Sequence, residues 1–85
     1  MNNVVMRKIV LTDQFQPLTA KESEVLTVEI SAPPTNTGPA IFRGEDGSEV
    51  PWNQGEFHSF KSIDLADVWV KGTPGDIVTI VGGAW

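Results

Sequence analysis

Turn-forming residues interrupt this sequence every eight to twelve positions, and between them no segment sustains three turns of helical period. Strands therefore have to supply the fold. The clearest case is residues 62–82, where Val and Ile alternate with polar residues on both sides of Gly72-Thr73-Pro74-Gly75. Such alternation suits a pleated surface buried on one face, and the four central residues form the turn between two strands. No group in this segment could carry out chemistry.

The same reading extends upstream. Leu26, Val28 and Ile30 alternate with Thr27 and Glu29, which predicts a strand over residues 24–32, ended by Pro33 and Pro34 because neither has an N–H for a ladder. Residues 4–11 are β-rich but apolar on both faces, with Val4, Met6 and Val10 against Val5, Ile9 and Leu11. Such a strand is either central or meets another subunit with its outer face. Residues 12–21 read as a loop that tucks Phe15 and Leu18 under the sheet. The Asn36, Gly38 and Pro39 cluster predicts a turn using positive φ, and residues 40–43 a short strand. Asp46-Gly47 predicts a hairpin tip. Residues 56–63 and 68–71 predict further strands, with a corner at Asp64-Leu65-Ala66-Asp67, four residues being too few for a stable helix. The expected fold is all-β, a single small antiparallel β-sandwich over residues 1–85, jelly-roll-like or immunoglobulin-like, with about seven short strands.

Eighty-five residues bury only about 60–65% of the surface the unfolded chain exposes, so the core must be compact or shared with a partner. No cysteine is present to staple it. Six basic side chains, scattered among eleven acidic ones, give a net charge of −5 and offer no phosphate-binding groove, so nucleic acid is not expected as a partner. No apolar run is long enough for a signal-peptide core or a membrane span, which predicts a chain used in the cytoplasm or in a particle assembled there, without a membrane partner.

Catalytic and metal-binding constellations are missing from the pattern. His58 is the single histidine, flanked by Phe57 and Phe60 in a predicted strand, with no cysteine and no nucleophile-elbow serine beside it. Glu45, Asp46 and Glu49 crowd a loop tip but lack the alternate-position spacing of a calcium loop. The glycines at 72 and 75 are followed by neither a lysine nor a helix, as a phosphate loop would require. No cofactor and no metal is expected, and no enzyme.

Three tryptophans remain to be placed. Trp69 lies between Val68 and Val70 within a strand, and burying it would be worth about 4–6 kcal/mol before entropy costs, so it is expected in the core. Trp52, between Pro51 and Asn53, and Trp85, at the C-terminus, read as surface anchors for a partner, together with Phe15 and Val5. Stacking of sugars on Trp52 and Trp85 is the competing use.

The order Val28-Glu29-Ile30-Ser31-Ala32, then Asn36-Thr37-Gly38-Pro39-Ala40-Ile41-Phe42-Arg43-Gly44, then Ile63-Asp64-Leu65-Ala66-Asp67 and Gly75-Asp76, resembles a family of small β-sandwich proteins of tailed bacteriophages. In that family a strand ends in an Asn-Thr-Gly turn, a later segment leads into an Ile-Asp-Leu corner, and the chain closes on a strand after Gly-Asp. The resemblance runs over residues 25–81 and departs from the pattern at Pro51-Trp52-Asn53-Gln54-Gly55. It implies a virion structural part: a capsid decoration (cement) protein, a head-fibre base or a minor tail protein. Its partners would be other protein subunits, either the major capsid protein or further copies of itself as a dimer or trimer. The alternatives are a small carbohydrate-binding module and a cofactor-free enzyme, for which the sequence offers no acid–base pair.

Overall fold

A computed structural model describes residues 3–84. Eight strands form, β1 (Asn3–Val10), β2 (Gln16–Pro17), β3 (Val25–Ser31), β4 (Ala40–Arg43), β5 (Glu49–Trp52), β6 (Phe57–Asp64), β7 (Trp69–Lys71) and β8 (Ile77–Ala84). They make two antiparallel four-stranded sheets, ordered β1-β8-β3-β6 and β2-β7-β4-β5. The all-β sandwich read from the alternation is the fold. The predicted corner is a single 3₁₀ turn, Leu65–Asp67, capped by the Asp64 carboxylate, which accepts from Ala66 N.

Apart from β2, which forms within residues 12–21 read as a loop, the strands lie where the alternation puts them, because each has one face that must leave water. On the first sheet the inward rows carry Val28, Ile30, Val78 and Ile80; on the second they carry Ala40, Phe42 and Val70. Leu11, Leu18 and Leu65, from the connections, close the same core. Gly47 takes φ 80° at the β4–β5 hairpin tip, as the Asp-Gly pair predicts. Gly82 answers a different demand. A Cβ there would collide with the carbonyl oxygen of Thr27 and lie 2.7 Å from the Val28 Cα, so β8 can reach β3 at this point only without a side chain.

The turn at residues 35–39 is built differently from the expectation. Asn36 does not take positive φ. It is buried instead, its amide donating from Nδ2 to the Ile77 carbonyl (2.8 Å) while Oδ1 accepts from Ile77 N (3.0 Å). Beside it the buried Asp76 carboxylate accepts from Thr37 N and Gly38 N (3.0 and 3.1 Å). Those bonds hold the Asp76 carboxyl below the usual range, the Thr37 N–H contributing most. A side-chain clasp thus replaces the backbone turn as the tie between the two sheets.

Candidate protein-docking surface

Three of the four residues expected to bind a partner lie within the described residues, and none presents a free face. Trp52 is 5% exposed. Its indole stacks on Phe42 (centroids 3.8 Å apart) and Phe60 (6.4 Å), with the His58 ring edge-on at 4.7 Å. The hairpin register puts Trp52 opposite Ala40, and the small side chain leaves room for the large one. An indole enclosed in this way is a core element, which corrects its placing as a partner anchor or sugar platform. Val5 is also corrected: it turns inward and packs against the core. Phe15, expected beneath the sheet, lies instead on the outer face of the second sheet, half-buried, with the Arg43 guanidinium 4.3 Å and the Lys71 ammonium 4.7 Å from its ring centroid. Trp85 lies outside the described residues.

Trp69 has the converse outcome. It does face opposite to Val70, but Val70 takes the core and Trp69 shares the outer face with Arg43, whose guanidinium is 5.5 Å from the Trp69 ring. Lys71, two residues on and therefore on the same face as Trp69, already marks that face as outward.

The residues left uncovered lie elsewhere. Apart from Val50, every described large hydrophobic side chain that is at least half exposed stands on the outer face of the first sheet: Val4, Met6, Val10, Val25, Phe57 and Val81. Met6 and Val4 are the barest, at 77% and 74%. The register sets Met6 beside Val81, Val81 beside Glu29, and Glu29 beside Ser59, so along this row the apolar patch on β1 and β8 grades into polar residues on β3 and β6, with Val25 and Phe57 at the strand ends. Val50 instead rims an apolar cleft of about 220 Å³ between β5 and β6, floored by Ile30, Trp52 and Phe60.

One ion pair decides which face of β1 is open. Each face carries a single cation among aliphatics, Arg7 on one and Lys8 on the other. Arg7 turns inward because it finds partners there: its guanidinium makes a two-pronged contact with Glu24 (2.8 and 3.1 Å) and donates to the Leu18 carbonyl (3.1 Å). The Glu24 carboxyl is held down to about 2, chiefly by that contact. Lys8, without such a partner among the described residues, stays in water with Val4 and Met6.

The polar groups singled out in the sequence do not converge. His58 Nε2 lies 2.7 Å from Glu56 Oε2 at the β6 edge, a contact that lowers the Glu56 carboxyl. At the hairpin tip Asp46 accepts from Ser48 N, while Glu49 sits 3.7 Å from Lys71. Among the described residues no group of three or more His, Cys, Asp or Glu is arranged to hold a metal ion, and no helix is long and apolar enough to cross a membrane. No family model matches the chain, and no curated protein or solved structure matches it either.

Proposed function

We propose that this chain is a non-catalytic structural subunit that works by docking the outer face of its first sheet on other protein subunits, as a capsid decoration protein docks on a shell. The observation that carries the reading is the apolar patch of Val4, Met6, Val10 and Val81, concentrated on one face while the opposite outer face is covered by the chain's own Phe15, Arg43 and Lys71. Segregation of this kind, rather than the presence of exposed aliphatics as such, is the mark of a binding surface. The virion setting comes from the sequence resemblance. Docking on a shell would also add buried apolar surface to a domain this small.

Co-expression with any major capsid protein found to be encoded beside the chain, followed by sedimentation of the assembled shells, tests the reading. The chain is expected to sediment with the shells in a fixed ratio, and Val81→Lys to abolish this without unfolding the subunit. A chain that stays in the supernatant, or a Val81→Lys variant that binds as well as wild type, overturns it.

A further inference from the structure

A sandwich of two four-stranded sheets has four edges, and three of these are blunted against pairing with another chain. β2 is two residues long and ends in Pro17. β5 carries Pro51, which has no N–H to offer. β6 is broken by the irregularity opposite residues 26–28, where Ser62 takes φ 52°. β1 alone is long and regular: eight residues without Pro or Gly, in unbroken register with β8 from Asn3 to Val10.

The free side of β1 can be read from its neighbours. Leu11, continuing the strand, donates its N–H to the Asp76 carbonyl on the β8 side (2.7 Å). Backbone groups alternate along a strand, so odd residues bond β8 and the N–H and C=O of Val4, Met6 and Lys8 point away from the sheet. At Val10 the carbonyl is already taken by Gln16 Nε2 (2.8 Å), which closes that end. The open segment is therefore centred on Met6.

We infer that β1 pairs antiparallel with β1 of a second copy of this chain, about a two-fold axis at Met6, joining the two first sheets into one continuous sheet. In this register Met6 faces its own copy, and Val4 faces Lys8 in both directions, so each outward-pointing donor meets an acceptor. Lys8 selects the register. Sliding the strands until Lys8 met Lys8 would set like charges directly opposite, whereas the Met6 axis lays each lysine stem along a valine. The axis also runs the Val81 and Met6 rows of both copies into a single apolar stripe. The inference deepens the docking reading and rests on it for its use, since the doubled patch is what a shell would receive.

Analytical ultracentrifugation of the isolated full chain over a wide concentration range reads the pairing without any capsid. A reversible dimer is expected, with Met6→Lys raising its dissociation constant at least tenfold while far-UV circular dichroism stays unchanged. The axis is read by single thiols in a chain that has none. Met6→Cys should oxidise rapidly to a covalent dimer, as its Cα atoms would lie about 5.5 Å apart, within disulfide reach. Val10→Cys should not, because its two copies would be about 27 Å apart along the strands. A monomer at all concentrations, a trimer, a dimer indifferent to Met6→Lys, or a Val10→Cys variant that cross-links as fast as Met6→Cys each overturns the inference. Shell binding by a strictly monomeric chain would sink the pairing and keep the docking reading; a Met6-centred dimer that ignores shells would do the reverse.

Discussion

The two outer faces of this sandwich are covered in opposite ways. Over the second sheet the chain folds back on itself: the segment after β1 brings Phe15 against Arg43 and Lys71, and Arg43 leans over Trp69. Over the first sheet nothing among the described residues folds back, and Val4, Met6 and Val81 stay in water. Both faces carry apolar side chains and both carry lysine. What differs is whether a neighbouring loop returns across the strands, so exposure here follows chain routing rather than residue type. A face closed from within can be tested through stability, and a face left open through association.

The contrast breaks first if the closed face proves as costly to disturb as the core beneath it. Trp52→Ala removes an indole packed between Phe42 and Phe60 and should cost about 3–5 kcal/mol. Trp69→Ala removes a half-buried ring held by cation–π contact and should cost only about 1–2 kcal/mol. Urea denaturation of both variants gives the difference directly. Equal losses would mean that the second sheet's outer face is core in all but name.

Gly82→Ala probes the inner side of the open sheet. The added methyl has no room against the Thr27 carbonyl and Val28, so β8 must shift from β3 at a cost of about 1–3 kcal/mol. Denaturation alone could not say where the strain goes. Amide exchange across the β3–β8 ladder should accelerate while the β4–β7 ladder is spared.

Acid should act on the first sheet through Glu24. Its folded carboxyl is held near 2, below the ordinary glutamate value, so its contribution is complete above about pH 4.5 and is lost as the pH falls towards 2. A carboxyl held that far below its ordinary value sets a ceiling of about 3 kcal/mol, and solvent access to the 29%-exposed Arg7 reduces it to about 1–2 kcal/mol. Glu24→Gln should flatten that part of the stability–pH curve. A curve of unchanged shape would remove Arg7–Glu24 as the contact that turns one face of β1 inward.

Much of the architecture was legible because it depends on local alternation. Leu26, Val28 and Ile30 could face only one way, and Asp46-Gly47 could only be a hairpin tip. The hairpin register would also have placed Trp52: counting outward from that tip sets it opposite Ala40 and on the face of Phe42, despite Pro51 and Asn53 giving it the look of a loop residue. The open face was not legible. With one cation on each face of β1, only the distant Glu24, seventeen residues away, breaks the tie. The Asp76 clasp on Thr37 and Gly38 is equally non-local, although aspartate in a turn ordinarily bonds its own neighbouring backbone.

The smallest stability effect and the sharpest contrast are expected from one substitution on the open face. Val81 stands on the central strand β8, half exposed, with Met6 on one side and Glu29 on the other. Lysine at this position loses little burial and gains an opposite charge directly across the ladder, a pair worth about 0.2–1 kcal/mol. Thermal unfolding of Val81→Lys should therefore stay within about 0.5 kcal/mol of wild type. On the proposed docking, shell binding should be lost with the apolar patch. Trp69→Ala on the closed face should do the opposite, lowering stability while leaving shell binding untouched. If Val81→Lys instead unfolds the isolated subunit, the first sheet's outer face already contributes to the monomer's own stability, and the distinction between a closed and an open face disappears.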